Sequence, residues 1–341
     1  MKISRFSASE PYIATLIPAL ENFLRRHSVE GKRVCVALSG GLDSVVLLDT
    51  LEQLKAIFRL DLHAIHVHHG LSPNADAWAA FCAELCMAHH IALTTTKVHI
   101  DKHSSAGLEG AARAARYAAF ADEGSPFVLL AQHADDQAET VLHQLLRGTG
   151  LKGLAGMGEV RIASPTQTLL RPLLTVTRVE IEAAANARGL KWIEDESNDD
   201  TVYTRNFLRH EITPRLAERF PHYRASLARA ARHANEADAM LAALAKIDLR
   251  WDGENAFADA LDGLPSARQI NALYHWLGWQ KVGAPSQAQL AEWAAQLFRS
   301  GPTDKPQLAG GHDFVIRRTN NRLLLLPNNS RNSSRNRDSK A

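Results

Sequence analysis

Residues 33–48 read RVCVALSGGLDSVVLL, and the fold turns on that stretch. The first six residues are a short apolar run of the kind that forms a buried strand. After Ser39-Gly40-Gly41-Leu42-Asp43-Ser44, apolar residues recur at Val45, Val46, Leu48, Leu51 and Leu54 with helical spacing. Strand, glycine turn and helix together open a βαβ unit. The two glycines allow a tight turn in which successive N–H groups aim at phosphate oxygens. The serines add hydroxyls, and the helix start offers its positive end to an anion. The loop has neither the lysine of a Walker A loop nor the spacing of a GxGxxG dinucleotide loop. Asp43 beside a phosphate repels it unless a cation intervenes, and Mg2+, which favours carboxylate, phosphate and water oxygens, is the expected one. A bare Ser-Gly-Gly also has a plainer reading, a strand-to-helix turn capped by Ser or Asp.

Outward from this loop the alternation continues. LDLHAIHV (60–67) is a second strand leading into the loop HHGLSP. Residues 77–90 read as a helix, 91–100 as a strand, 107–122 as an alanine-rich helix, FVLLA (127–131) as a fourth strand and 135–147 as a helix. This order predicts right-handed βαβ units, and hence an α/β fold with a doubly wound, Rossmann-like parallel sheet covered on both faces. A helix over 177–188 carries its own start and stop: Thr177 and Glu180 form a capping box, and Gly189 suits the left-handed cap. The texture changes after Pro214 and Pro221. A long Ala/Leu pattern from Arg224 to about Asp248 places Leu227, Ala231, Ala234, Leu241 and Leu244 on one side. Helices near 266–277 and 286–298 follow, then a hairpin of FVIRR (314–318) and RLLLL (322–326). The expected organisation is a catalytic domain over 1–220, a smaller, mostly helical domain over 221–327 and a disordered basic tail over 328–341.

The chain has 341 residues, 45% of them hydrophobic, which is too many for a disordered chain; its length suits two domains of roughly 150 residues. A net charge of +2 excludes only a uniformly basic or acidic protein. Charge is in fact segregated: EDESNDD (194–200) holds five acids, whereas 203–233 holds seven arginines against Glu211 and Glu218. Cys35, Cys82 and Cys86 are too few for a disulfide framework and read as buried thiols in a reducing compartment. The N-terminal stretch reads as an amphipathic helix rather than a signal peptide. No run approaches the ~18 apolar residues of a membrane span. A cytoplasmic protein with no membrane partner is expected.

A second motif follows the fourth strand: His133-Ala134-Asp135-Asp136-Gln137-Ala138-Glu139-Thr140. With Ala138, Val141, Leu142, Leu145 and Leu146 as the buried stripe, Asp136 and Glu139, at i,i+3, share another face. Converging acids need a positive partner, an amine substrate or a metal. The plainer reading is a solvated acidic first turn that complements the helix dipole. In a doubly wound sheet the first and fourth strands flank the crevice where ligands bind, which brings both motifs to one cleft.

SGGLDS resembles the pyrophosphatase loop of the N-type ATP pyrophosphatases, which cleave ATP between the α and β phosphates and transfer AMP. Upstream and downstream motifs narrow the resemblance. His66-Val67-His68-His69-Gly70-Leu71, Glu109 with Ala112-Arg113 and Arg116-Tyr117, and HADDQAET are followed by RGTGLKGL (147–154), Arg171-Pro172-Leu173-Leu174, Ser197-Asn198 and Arg205-Asn206-Phe207-Leu208-Arg209. Their order is similar to that of the tRNA(Ile)-lysidine synthetases over about residues 33–215, with Ser72 standing where an Arg is common. Longer members carry a further C-terminal domain, and this chain is expected to be a short form without it.

The resemblance implies ATP and Mg2+ on Ser39, Gly40, Gly41, Leu42, Asp43 and Ser44, with Asp43 holding the metal and backbone around His66–His68 receiving adenine. It implies adenylation of the wobble cytidine of a CAU-anticodon tRNA(Ile), then attack by the ε-amine of L-lysine to give lysidine. This changes decoding from AUG to AUA. The implied catalytic set is Asp43, Arg113, Asp136, Glu139 and Arg205. Asp136 and Glu139 bind lysine, and Arg113 and Arg205 stabilise phosphate charge. Arg205, Arg209 and Arg224 are the expected tRNA contacts, with Tyr203, Phe207, Phe220 and Tyr223 as candidate stacking aromatics. A homodimer is a candidate assembly. The rival readings are a tRNA thiolation enzyme on the same fold, which needs cysteine pairs, and a non-catalytic ATP-binding module.

Overall fold

The computed structural model describes residues 10–101, 104, 107–196, 201–202, 204–283, 285–298, 307–310, 314–319 and 321–327. The expected alternation is present: α1 (Glu10–Arg26), β1 (Arg33–Ala37), α2 (Leu42–Lys55), β2 (Asp61–His68), α3 (Ala75–Ala88), β3 (Ala92–Lys97), α4 (Gly107–Glu123), β4 (Phe127–Leu129) and α5 (Ala134–Leu146). A short α6 (Leu151–Leu154) precedes β5 (Val160–Ser164), β6 (Gln167–Leu170) and α7 (Arg178–Ala187). Then come α8 (Thr204–Phe207), a π-helical turn at Leu208–Ile212, α9 (Thr213–Arg219) and the long α10 (Tyr223–Asp248). The chain divides into two compact units, 1–233 and 234–341, with the dividing line inside α10. The sequence places the change of texture near 220, a little before this line.

In the first unit the strand order is β3-β2-β1-β4-β6-β5. β3 through β6 are parallel neighbours, while β5 runs antiparallel on the edge. The doubly wound sheet therefore carries one antiparallel strand that the sequence did not announce. Val160 and Ile162 of β5 are exposed, so no buried face marks the strand. Val34, Cys35 and Val36 of β1 are fully buried, because helices cover both faces of the strand. One face packs on α1, α2 and α7, the other on Phe120 and Tyr117 of α4. The capping box at Thr177 forms as expected. Cys82 and Cys86 lie inside the core, where burial pushes their thiols up to about 12 and about 11; burial raises Cys35 as well.

The expected apolar stripe of α5 is corrected. Ala138 and Val141 are buried, but Leu145 and Leu146 are 54% and 68% exposed, and Gln137 and Glu139 take buried places instead. Gln137 explains part of the rotation: its amide bonds both the N–H and the carbonyl of Met157, at 2.8 and 3.0 Å. On α10, Ala231, Ala234 and Ala245 are buried while Leu241 is exposed.

The second unit is mostly helical, as expected, with a small sheet beside its helices. After β7 (Ala256–Phe257) and a single 3-10 turn come α11 (Ser266–Trp279), α12 (Gln287–Phe298), β8 (Gln307–Gly310), β9 (Phe314–Thr319) and β10 (Arg322–Pro327). The expected hairpin is the centre of a four-stranded antiparallel sheet, β7-β10-β9-β8. Leu273, Trp276, Leu277, Leu297 and Ile316 fill its core. The buried Arg318 forks onto Asp262 at 2.8 and 2.6 Å. Ser197, Asn198, Tyr203 and the basic tail lie outside the described residues, as does part of the acidic loop. Among the described residues no helix is long and apolar enough to cross a membrane.

Candidate active site at the carboxyl ends of β1 and β4

The glycine loop leaves β1 with Gly40 at φ +89°, a conformation that L side chains rarely adopt. A Cβ there would lie 2.7 Å from Ile193 Cδ1 and 3.1 Å from Cys82 Sγ, so space and backbone both select glycine. The Gly40 carbonyl accepts from the Ile193 N–H at 2.9 Å, which seals the loop against the chain after α7. Ser44 Oγ accepts from the N–H groups of Ser39 and Gly40, both at 3.2 Å, and donates to the Gly41 carbonyl at 2.9 Å. Ser39 Oγ accepts from the Gly41 N–H at 3.3 Å. The amides expected to face a phosphate thus already converge, held by neutral hydroxyls that a charged oxygen can replace with stronger bonds.

Across the crevice, His133 caps α5. Its Nδ1 accepts from the Asp135 N–H at 3.2 Å, and the Asp136 carboxylate accepts from the His133 N–H at 3.1 Å. His133 Nε2 lies 3.7 Å from Asp43 Oδ1 and 3.5 Å from Asp136 Oδ2, so the ring ties the two motifs together. Arg178, the first residue of α7, donates to Asp43 Oδ2 at 2.6 Å, and its backbone N–H donates to Asp135 at 2.9 Å. Asp43 Oδ1 is buried with no hydrogen-bond partner among the described residues. Burial raises the Asp43 carboxyl above its ordinary range, against the pull of His133 and Arg178.

Asp136 and Glu139 do share a face, and the positive charge between them belongs to the chain itself. Arg209 donates to both Glu139 oxygens, at 2.7 and 2.9 Å, and to Asp136 Oδ1 at 3.1 Å. Glu139 is only 3% exposed, and burial pushes its carboxyl upward in spite of Arg209. Arg209 sits on the π-helical turn, a rare geometry that recurs at functional sites. Two arginines expected on RNA are therefore engaged inside the protein: Arg209 on the acid pair, and Arg224 on Asp135 and the Tyr223 ring. Arg205 donates to Thr140 Oγ1 at 3.3 Å and approaches Glu109 at 4.0 Å. Arg113 lies over the Tyr117 ring at 5.0 Å. The His66 and His68 rings are buried, against the Leu38 carbonyl and Asp76. Phe207 and Phe220 are exposed.

Sequence reasoning missed His133 as the bridge, although it opens the quoted motif, and missed Arg178, for which no local pattern gives a signal. Among the described residues no three His, Cys, Asp or Glu side chains group as a metal site. A lone unpaired carboxylate oxygen at a phosphate loop nevertheless fits Mg2+, which completes its shell with phosphate and water.

Comparison with known proteins follows the same division. Residues 14–216 match the PP-loop domain family, and residues 258–324 match the TilS substrate binding domain. The tRNA(Ile)-lysidine synthase of Azoarcus sp. (strain BH72) is 45% identical over 80% of this chain and 62% of its own length. That of Pseudomonas fluorescens (strain Pf0-1) is 48% identical over 71% of this chain and 57% of its own. The chain thus spans about three fifths of the length of the curated relatives it matches. Among solved structures, the U34-tRNA thiolase NcsA from Methanococcus maripaludis with its [4Fe-4S] cluster is similar in fold, with a TM-score of 0.56 at 20% identity, covering 67% of this chain and 80% of that one.

Proposed function

Because the chain belongs to the PP-loop family, we propose that it adenylates the C2 oxygen of the wobble cytidine in a CAU-anticodon tRNA(Ile) and then joins that carbon to the ε-amine of L-lysine, forming lysidine. The relatives named tRNA(Ile)-lysidine synthase support this reading, as does the matched substrate-binding domain. The observation that carries it is a single crevice offering opposite surroundings: amides and hydroxyls for phosphates at β1, and an acid pair, with Glu139 buried and Asp136 half-buried, for an amine at β4.

The chemistry needs both. The C2 oxygen is a poor leaving group until it carries AMP, and lysine's ammonium, with a reference pKa of about 10.4, must lose a proton before it attacks. The N–H groups of Ser39, Gly40 and Gly41 bind phosphate oxygens, taking over the bonds now made by the Ser39 and Ser44 hydroxyls. Asp43 Oδ1 holds Mg2+, which when bound neutralises charge on the polyphosphate. Arg113 and Arg205 favour the charge that develops as pyrophosphate leaves. Asp136 and Glu139 receive the lysine amine, and the raised carboxyl of Glu139 equips it to accept the amine's proton. Arg209 keeps the two carboxylates apart and oriented before the amine arrives. This reading places the protein in the cytoplasm, alongside its tRNA.

The test is incubation of the protein with ATP, radiolabelled lysine and tRNA. Acid-precipitable label that requires both ATP and a CAU-anticodon tRNA(Ile) supports the reading. ATP binding without label points to the non-catalytic module, and sulfur incorporation to the thiolation reading.

A further inference from the structure

One stripe of α4 carries Arg113, Arg116 and Tyr117, with Phe120 one turn further on. Tyr117 and Phe120 meet edge-on at 5.8 Å and anchor this stripe on the sheet. Arg113 and Arg161 both lie over the Tyr117 ring, at 5.0 and 4.8 Å. Arg116 is half-buried, and among the described residues it makes neither a hydrogen bond nor an ion pair. Burial disfavours its charge, and the charges around it include Arg113 and Arg205 on one side of the balance and Glu109 on the other. At the carboxyl end of β2, close enough for its ring to feel the Arg116 charge, His69 Nδ1 is buried with no hydrogen-bond partner among the described residues. A guanidinium and a ring nitrogen both left unpaired in neighbouring, partly buried positions are costly unless an anion joins them.

Arg205 connects this pocket to the acid pair. Its guanidinium reaches Thr140, beside Glu139, and also approaches Glu109 on α4. One guanidinium therefore separates a cationic pocket from an anionic one. Free lysine has the matching polarity: a carboxylate at one end of an extended chain and an amine at the other.

We propose that Arg116 and His69 form an oxyanion seat that takes the α-carboxylate of the amino-acid substrate while Asp136 and Glu139 take its ε-amine. The inference rests on the lysine-ligating reading. A phosphate oxyanion shares the same chemistry. The loop at 39–44 already offers phosphate its own amides, however, and a planar fork inside a half-buried pocket matches a carboxylate side-on.

The experiment compares lysine with lysinamide, whose carboxamide has the same shape and no charge, in the wild type, Arg116→Met and Arg116→Lys. KM for ATP and for tRNA is measured alongside. In the wild type lysine outcompetes lysinamide roughly ten- to hundredfold, the worth of charge-assisted hydrogen bonds. In Arg116→Met the KM for lysine rises by about that factor and the preference over lysinamide collapses, while KM for ATP and tRNA holds. Arg116→Lys recovers part of the preference. Thermal unfolding without ligands serves as the folding control: Arg116→Met melts at or above the wild-type temperature, because it removes an unpaired charge. An unchanged preference in Arg116→Met, a rise in KM confined to ATP or tRNA, or a lowered melting temperature overturns the seat and leaves lysine ligation standing. A wild type that incorporates no lysine overturns both.

Discussion

The phosphate loop and the acid pair lie at the ends of neighbouring strands, yet opposite means hold them. The loop is local: Ser39, Gly40, Gly41 and Ser44 bond one another within a single turn of chain, and Ile193 closes the turn from outside. The acid pair is non-local. Glu139 and Asp136 depend on Arg209, 70 and 73 residues away, and the neighbouring Asp135 depends on Arg224, 89 residues away. The first should therefore break by steric change at one position, and the second by loss of charge or by a change of pH.

The largest effect is expected at Gly40. Gly40→Ala forces a side chain to φ +89° and into Ile193, which stores roughly 1–3 kcal/mol of strain and displaces the converging amides. Lysine incorporation should fall about a hundredfold or more while the chain still unfolds cooperatively; activity within a few fold of wild type would break the local half of the comparison.

Arg209→Met comes next. Leaving one member of a buried pair unpaired costs roughly 3–5 kcal/mol, and since the Arg209 side chain is 36% exposed, screening cuts this to about 2 kcal/mol. The sign of the pH effect follows from Glu139, whose carboxyl already lies above its ordinary range. Without Arg209 it rises further, so the deficit is greatest at neutral pH and shrinks as pH falls and Glu139 takes a proton. Urea unfolding at several pH values checks this, and a pH-independent deficit would mean that Arg209 acts by packing alone.

Asp43→Asn should separate stability from activity. Burial raises the Asp43 carboxyl, so the folded state is penalised as pH rises through that value. The amide removes the penalty, and the ligand-free melting temperature should hold or rise slightly although ATP-dependent activity is lost. The smallest effect is expected for Arg224→Ala. Its partly exposed pair with Asp135 contributes about 1 kcal/mol at most, and the salt dependence of tRNA binding should stay the same. A slope shallower by about one unit would return Arg224 to the RNA.

How far the sequence could be read follows the same local and non-local division. The run RVCVAL, the glycine turn and the Thr177 capping box are short-range patterns, and strand, loop and helix all formed where those patterns lay. The convergence of SGGLDS with HADDQAET was also legible, because strand order places β1 beside β4. What escaped was set by chain return. Nothing in the order of residues shows that Arg178 reaches Asp43, or that a π-helical turn aims Arg209 at the acids instead of outward. The edge strand β5 escaped for a related reason: almost fully exposed on a sheet rim, it offers only the brief alternation Val160-Arg161-Ile162, too short to announce a strand. Leu145 and Leu146 misled in the opposite direction, since α5 turns its polar Gln137 inward onto Met157 and Glu139 onto Arg209.

The central claim is that lysine's amine is received at β4 by the acid pair, separately from adenylation at β1. Steady-state kinetics of Asp136→Asn in lysine, with pyrophosphate release measured in parallel without lysine, tests it most directly. The expected result is a strong loss of lysine turnover, a raised KM for lysine and pyrophosphate release still dependent on ATP and tRNA. An Asp136→Asn protein whose lysine KM and turnover match the wild type would contradict it.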